Sequence, residues 1–206
     1  MKNILAALIL FIGTTGLLKA QTEKSYIDKG KAKYKLKDYP AAISDFSKAI
    51  TINPKAAVAY NNRGLAKYQM KDFVSALDDY NKAIELNLNT ESVFFNRGTV
   101  RDELKDYEGA LADYSKAIDL KPNDAVKYNN RGLVNYNLKS YKEAVADFTE
   151  SIFLNPKDGV TYFNRALTEE ELPDLQGAMD DYTKAIKLNS IDEDAYFNRA
   201  MLKVKL

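Results

Sequence analysis

The sequence contains no cysteine, no histidine and no tryptophan among its 206 residues. Without cysteine and histidine, the chain has no thiol nucleophile, no disulfide, no Cys/His zinc site and no imidazole for acid–base catalysis. A glycine-rich phosphate loop and a metal-ligand spacing are also missing from the sequence. The composition therefore predicts a protein that is not an enzyme and that holds no metal or other cofactor.

Charge is balanced, because 30 lysines and arginines face 29 aspartates and glutamates. Removing residues 1–20 takes away Lys2 and Lys19 and no acid, which leaves 28 bases against 29 acids. Nucleic-acid binding needs a concentrated basic surface. The sequence therefore predicts no nucleic-acid partner.

Residues 1–20 differ in kind from the rest of the chain. Lys2 precedes an unbroken apolar run over 4–12, and small residues lead to Ala20. This order is typical of an export signal peptide cleaved after Ala20, which predicts a periplasmic or secreted protein with no membrane contact after cleavage. The alternative is an uncleaved segment that anchors the chain to the membrane, although the apolar stretch is shorter than the roughly 18–20 residues that span a bilayer.

A pattern of 34 residues recurs over residues 21–206. Its opening, Tyr60-Asn61-Asn62-Arg63-Gly64, returns as Phe94-Phe95-Asn96-Arg97-Gly98. Further copies start at Tyr128, Tyr162 and Tyr196, and a more degraded one at Tyr26. The repeats are 23–56, 57–90, 91–124, 125–158 and 159–192, followed by a partial sixth repeat or capping helix over 193–206. A fixed period of this length is the signature of a solenoid.

Each repeat is predicted to form two helices joined by a turn. In the second repeat we expect the first helix over about 58–70 and the second over about 73–86. Asp72 precedes the second helix and can cap it by accepting from free backbone N–H groups. The apolar residues of that helix recur at three- and four-residue spacing. The sequence therefore predicts an all-α fold.

The period and the small residues in phase resemble the tetratricopeptide repeat (TPR), as found in exported bacterial-type TPR proteins. Counting from the first residue of each repeat, position 8 is Gly30, Gly64, Gly98, Gly132, Ala166 and Ala200, and position 20 is always alanine. The resemblance implies a right-handed α-solenoid of helix-turn-helix repeats whose first helices line a concave groove. It also implies a protein or peptide partner.

The sequence departs from the family pattern at several positions. Tyrosine or phenylalanine replaces the family's tryptophan at position 4. The aromatic of position 11 is replaced by Lys33, Lys67, Arg101, Asn135 and Glu169. The fifth repeat carries Pro173 in its turn, so its geometry is the hardest to predict.

Asparagine recurs at position 6, in Asn62, Asn96, Asn130, Asn164 and Asn198. Asparagine is a poor residue for a helix interior, so five in phase indicate a specific role. The pattern is similar to the asparagine ladders with which TPR proteins hold an extended peptide, and Tyr68, Phe95 and Tyr136 would add apolar contact. The alternative is that these asparagines bond between adjacent helices and brace the stack. The Lys and Asn that complete the family's carboxylate clamp are missing at positions 5 and 9.

A basic residue at position 7 and an aspartate at position 23 form a second recurring pair. The members are Arg63, Arg97, Arg131 and Arg165 with Asp45, Asp79, Asp113, Asp147 and Asp181. Arginine stands where the family signature has leucine, and a partly buried cation needs a carboxylate partner. We interpret these residues as structural ion pairs. The sequence leaves open whether each arginine meets the aspartate of its own repeat or of the one before.

Together these features predict a non-enzymatic scaffold that binds an extended peptide or protein segment in the groove. Asp102, Glu103, Glu170 and Glu171 favour a segment with some basic residues. The alternative is a structural protein that forms a homo-oligomer, or bridges envelope complexes, through its C-terminal edge. The helix predicted over 194–206 lacks a second helix to cover it, and exposed apolar surface often marks contacts.

Overall fold

The computed structural model describes residues 2–172, 174–189 and 193–205, and the side chains of these residues from Gly16 to Val204. The described residues form eleven α-helices and no strand. The helices are α1 (Lys2–Lys35), α2 (Tyr39–Ile52), α3 (Ala57–Gln69), α4 (Phe73–Glu85), α5 (Glu91–Glu103), α6 (Tyr107–Leu120), α7 (Ala125–Asn137), α8 (Tyr141–Leu154), α9 (Gly159–Glu170), α10 (Leu175–Leu188) and α11 (Glu193–Lys205).

This arrangement confirms the predicted all-α repeat solenoid, with odd-numbered helices as first helices and even-numbered ones as second helices. In the second repeat, α3 and α4 begin and end within about one residue of the expected bounds. The first helix, α1, differs in length, because it continues without a break from Lys2 through the first helix of repeat 1. Over the described part of the chain, no helix combines the length and apolar content that crossing a bilayer requires.

The turn between the two helices of a repeat depends on a lysine in the left-handed conformation. Lys71 has φ 61°, and its N–H donates to the carbonyl of Tyr68 at 2.8 Å. Asp72 then caps α4 by accepting from the N–H of Ser75 at 3.3 Å. The same conformation recurs at Lys37, Lys105 and Lys139. In the fifth repeat the predicted departure concerns Pro173, which lies outside the described residues, while Asp174 caps α10 at 3.0 Å from the N–H of Gly177.

Within a repeat, the aromatic ring at position 24 lies directly against the small residue at position 8. A Cβ built on Gly64 would lie 3.1 Å from Cε1 of Tyr80, and one built on Gly132 would lie 2.7 Å from Cε1 of Phe148. Both rings are buried. The small residue therefore sets how closely the two helices approach, as protein interiors are close-packed.

The chain divides into two compact units, Met1–Asn89 and Thr90–Leu206. In the first unit, α1 to α4 pack consecutively, and Ile27, Phe46 and a set of alanines form the core of its first repeats. In the second unit, α5 to α11 pack consecutively. Its C-terminal core includes Tyr182 and Ile186 of α10 and the fully buried Leu202 of α11.

Candidate functional site

The residues predicted to bind a partner lie on the first helices of the repeats. We call the partly exposed side of these helices the first-helix face. In the first unit it carries Lys31 and Tyr34 of α1 and Asn62 of α3. In the second unit it carries Phe95 of α5 and Tyr136 of α7, both half-buried.

In the first unit, the first-helix face contains a cavity of about 280 Å³ between α1 and α3. Its lining is Lys31, Tyr34, Lys35, Phe46, Asn62 and Leu65. Tyr34 and Phe46 contribute aromatic rings to this lining, and Lys31 and Lys35 of α1 contribute two cations. The cavity therefore combines apolar contact with positive charge and an amide.

Asn62 brings an unsatisfied polar group to this cavity. Its Nδ2 is buried and has no hydrogen-bond partner among the described residues, and the same holds for Oδ1 of the adjacent Asn61. Buried polar groups are normally paired, so each exception indicates a function or a missing partner. Among the described residues, the asparagine predicted at position 6 of repeat 2 thus has a donor without an acceptor.

In the second unit, the asparagines of position 6 divide into two groups. Asn164 donates from Nδ2 to Oδ1 of Asn129 on the preceding repeat at 3.2 Å. Asn198 interacts with the hydroxyl of Tyr182. These two contacts match the alternative prediction, in which the asparagines bond between adjacent helices. Asn96 and Asn130 are half-buried, and the structure records no side-chain hydrogen bond for them within the described ranges.

The aromatic residues predicted for the groove pack against aromatics of their own repeats. The ring centroids of Tyr68 and Phe73 lie 5.7 Å apart, and those of Tyr136 and Tyr141 lie 5.6 Å apart. Phe95 lies 5.6 Å from the buried Tyr114. Each of the three predicted rings stays partly exposed, so it can form one wall of a binding surface while its other side is fixed.

The second unit also carries acidic groups on or next to its first helices, and two of them lie near Tyr136. Burial, followed by the neighbouring Glu103, raises the pKa of the Asp102 carboxyl. Burial also raises the pKa of Tyr136, with a further contribution from the charge of Glu171. Glu170 Oε1 accepts a hydrogen bond from the Tyr182 hydroxyl at 2.6 Å. The negative charge close to Tyr136 favours a cationic group on the partner.

A separate column of ion pairs lies between the first and second helices. In repeats 2 to 5, the arginine of position 7 pairs with the aspartate of its own repeat, through Nε and Nη2. In the second repeat, Arg63 Nη2 lies 2.7 Å from Oδ1 of Asp79 and Nε lies 2.9 Å from Oδ2. The equivalent pairs are Arg97–Asp113, Arg131–Asp147 and Arg165–Asp181. The hydrogen bond to the carboxylate raises the pKa of Arg63, Arg131 and Arg165.

Arg63 and Arg131 also reach the preceding repeat. Nη1 of Arg63 donates to the hydroxyl of Ser47 at 3.0 Å, and Nη1 of Arg131 donates to the hydroxyl of Ser115 at 3.2 Å. Arg63 additionally lies 5.4 Å from the ring centroid of Tyr60, at position 4. The column therefore braces the two helices of one repeat and links that repeat to its neighbour.

Position 11 supplies a second partner to the buried aspartate. Lys67 lies 2.8 Å from Asp79, and Asn135 donates to Asp147 at 2.9 Å. In the first repeat Lys33 holds Asp45 at 2.6 Å, while Lys29 of position 7 lies over the ring of Tyr26 instead. In repeats 1 to 3, the basic residue that replaces the family's aromatic neutralises the buried aspartate, and in repeat 4 Asn135 donates a hydrogen bond to it.

Glu169 occupies this position in the fifth repeat and brings a second carboxylate to Asp181. Arg165 is shared between them, at 2.6 Å from Asp181 and 3.8 Å from Glu169. Burial, followed by the charge of Asp181, raises the pKa of Glu169 to about 7. Its Oε2 is buried and has no hydrogen-bond partner among the described residues.

A crevice of about 340 Å³ in the second unit belongs to this bracing column. It is lined by Leu111, Ser115, Arg131, Asn135, Glu143, Ala146 and Asp147. The polar groups of Ser115, Arg131 and Asp147 are bonded to one another. In the described part of the chain, no cluster of His, Cys, Asp or Glu could hold a metal ion.

The sequence interpretation missed Lys31, Lys35 and Leu65 as parts of one cavity. Lys31 and Lys35 are four residues apart and flank Tyr34 on one side of α1, a spacing that places side chains together on a helix. That spacing was a usable signal. The cavity itself depends on how closely α1 and α3 approach, which the sequence does not state.

Family models match four segments of the chain. Two models described as tetratricopeptide repeat match residues 57–89 and 128–158, and one described as TPR repeat matches residues 30–71 and 103–139. The chain belongs to the tetratricopeptide repeat family. TPR proteins generally mediate protein–protein interactions and are typically non-enzymatic scaffolds. A search of curated protein sequences finds no match to this TPR protein.

Solved structures with a similar fold are also TPR proteins. YrrB, a TPR protein with an unusual peptide-binding site, matches with a TM-score of 0.80 at 22% identity, over 85% of this chain and 90% of that chain. MamA from Desulfovibrio magneticus RS-1 matches with 0.78 at 17% identity, over 84% and 97%. A TPR protein from Parabacteroides merdae ATCC 43184 matches with 0.77 at 22% identity, over 88% and 72%. At these identities the likeness shows the fold alone.

Proposed function

We propose that this TPR protein binds extended segments of a partner protein on its first-helix faces, with Asn62 as the main hydrogen-bonding group in the first unit and Asn96 and Asn130 in the second. The buried Nδ2 of Asn62, which has no partner among the described residues, carries the proposal. A buried donor left without a partner costs about 1–3 kcal/mol. A backbone carbonyl of a bound segment would remove that cost.

The surroundings define the kind of segment. In the first unit, Phe46 and Leu65 offer a place for an apolar side chain beside Asn62. In the second unit, the charge of Glu171 near Tyr136 favours a lysine or arginine. The segments would therefore be extended and have backbone carbonyls available, with an apolar side chain for the first unit and a basic side chain for the second. The fold alone does not determine what is bound. The likeness to YrrB, which has a peptide-binding site, supports a peptide segment as the ligand.

The proposal is tested with defined peptides. Random extended peptides would be selected on the full chain, and their affinity measured for the chain and for the triple variant Asn62→Ala, Asn96→Ala, Asn130→Ala. Each lost bond is worth about 0.5–1.5 kcal/mol, so we expect binding to weaken by at least about tenfold. The matched control is Asn155→Ala with Asn189→Ala, two exposed asparagines that follow second helices. Unchanged affinity in a folded triple variant would refute the proposal.

A second candidate function is association through α11. Phe197, Met201 and Val204 of this helix are exposed, at 64%, 50% and 84%. Exposed apolar groups gathered on one helix favour a contact with another protein, either a second copy or a different partner. Light scattering over a concentration series separates the two, because a strict monomer at all concentrations would exclude a second copy.

We further propose that the protein works outside the cytoplasm, as the pattern of residues 1–20 indicates. The expected product in an envelope or secreted fraction begins at Gln21. Mass spectrometry of the intact protein from each cell fraction would decide this. A full-length chain confined to the cytoplasm would contradict export, and a full-length chain in the membrane would favour the anchor.

A further inference from the structure

The last helix, α11, repeats the side chains with which α3 receives α4. Tyr60, Arg63 and Lys67 of α3 correspond to Tyr196, Arg199 and Lys203 of α11. The small residue of position 8 is Gly64 in the first set and Ala200 in the second. Thus α11 carries the residues with which a first helix packs against a second helix. A polar capping helix would carry polar residues at these positions instead.

In the second repeat, both cations of α3 converge on one carboxylate of α4. Asp79 lies 2.7 Å from Nη2 of Arg63 and 2.8 Å from Nζ of Lys67. The ring of Tyr80 covers Gly64. The aspartate and the following aromatic therefore form the two parts of α4 that α3 recognises.

In the described part of the chain, no second helix packs on Tyr196, Arg199, Ala200 and Lys203 of α11. Arg199 keeps the contact to the preceding repeat, with Nη1 donating to the Thr183 hydroxyl at 3.3 Å, and it lies 5.6 Å from the ring centroid of Tyr196. No carboxylate among the described residues pairs with Arg199 or Lys203, and Ala200 is exposed. Leu202, three residues after Arg199, is fully buried, so the orientation of α11 is fixed.

We propose that this face of α11 binds an amphipathic helix of a partner protein, one that carries an aspartate followed by an aromatic residue, with a small residue three positions before the aspartate and another four positions after it. The carboxylate would bridge Arg199 and Lys203, and the aromatic ring would cover Ala200. A carboxylate held between two cations by charge-assisted hydrogen bonds gives both affinity and orientation. The inference specifies the partner for the second candidate function and does not depend on peptide binding at the first-helix faces.

A different protein fits this site better than a second copy. The chain contains the pattern in its own second helices, for example as Ala76, Asp79, Tyr80 and Ala83. Those residues are buried within their repeats, and Asp79 already holds two cations. A second copy would have to unpack a repeat in order to offer such a helix.

The probe is a peptide with the sequence of residues 72–87, held helical by a covalent bridge on its exposed side, because an isolated helix of this length is marginal in water. Its binding to the full chain would be followed by fluorescence anisotropy. We expect binding that weakens about tenfold or more when the peptide carries Asp79→Asn. The matched peptide with Asp78→Asn loses the same charge at an exposed position and should bind like the parent.

The protein variants complete the test. Arg199→Leu should weaken binding to a similar degree and should make the protein insensitive to the Asp79→Asn change in the peptide. Lys187→Ala, which removes an exposed cation of α10, should have no effect. The Asn62, Asn96, Asn130 variant should also bind normally, so failure at one site is separable from failure at the other. Absence of binding, equal affinity of the two peptide variants, or normal binding by Arg199→Leu would overturn the proposal.

Discussion

Arg131 and Asp147 are joined by two parallel hydrogen bonds across the helices of one repeat, Nη2 to Oδ1 at 2.6 Å and Nε to Oδ2 at 2.9 Å. Asp147 is buried, and its remaining side-chain partner is the amide of Asn135. In the second repeat, the same pair is Arg63 and Asp79, but there the second partner is the cation of Lys67. When the arginine is removed, Asp147 therefore keeps only a neutral amide as its side-chain partner, whereas Asp79 keeps a cation.

This difference predicts unequal costs for the same substitution. Arg131→Leu should lower the free energy of unfolding by about 3 kcal/mol, because it leaves a buried carboxylate with no cation. Arg63→Leu should cost less, about 1–2 kcal/mol, because Lys67 still neutralises Asp79. Urea unfolding of both variants checks the order. Both arginines also contact a serine of the preceding repeat, so that loss is matched. Equal losses of unfolding free energy in the two variants would show that Lys67 at position 11 does not help to neutralise Asp79.

A pH dependence is predicted for the fifth repeat. The pKa of Glu169 is about 7 in the folded chain against an ordinary 4.5. Burial is the main cause, followed by the charge of Asp181. The charges of Asp174 and Asp180 also raise the pKa, while the charge of Arg165 lowers it. The folded state thus binds the proton more tightly than the unfolded state. Stability should be highest below about pH 4.5 with respect to this group, and should fall as the pH rises toward 7.

The variant Glu169→Gln removes this dependence. It mimics the amide that Asn135 supplies in repeat 4, so we expect it to stabilise the chain by roughly 1–3 kcal/mol at pH 8 and by little at pH 4.5. Thermal unfolding of both proteins across this pH range measures the effect. The control is Glu171→Gln, an exposed glutamate of the same segment. An equal gain at both pH values would contradict a raised pKa for Glu169.

Helix packing predicts different responses to one added methyl group. Gly132→Ala would place a Cβ 2.7 Å from the buried ring of Phe148, whereas Gly64→Ala would place it 3.1 Å from the ring of Tyr80. Overpacking typically costs 1–3 kcal/mol, and alanine in a helix regains about 1 kcal/mol over glycine. Gly132→Ala should therefore destabilise the chain by up to about 2 kcal/mol, while Gly64→Ala stays near neutral. Denaturant midpoints compare them, and a larger loss in Gly64→Ala would refute this packing argument.

The fold could be predicted from the sequence because the same packing requirements recur every 34 residues. Position 8 must be small since a ring lies on it, and Asp72 must precede α4 since free N–H groups need a cap. The left-handed conformation of Lys37, Lys71, Lys105 and Lys139 was harder to foresee, because lysine carries no such preference. Its conformation follows from the length of the turn.

Pairing between elements could be predicted only in part. The sequence showed arginine and aspartate in phase, but a period cannot say whether a partner lies in the same repeat or the one before. It likewise could not show that Asn164 meets Asn129, or that Lys67 shares Asp79, since both depend on distances between helices. The groove role of the asparagines stays a prediction.

The measurement that tests the central proposal most directly is an NMR titration of the asparagine side-chain amides with a selected peptide. We predict that the Nδ2 signal of Asn62 shifts in the first unit, and that the Nδ2 signals of Asn96 and Asn130 shift together in the second. The signals of the exposed Asn155 and Asn189 should stay in place. If the peptide binds and moves only amides outside the first-helix faces, or moves Asn155 and Asn189 instead, recognition does not occur where we propose.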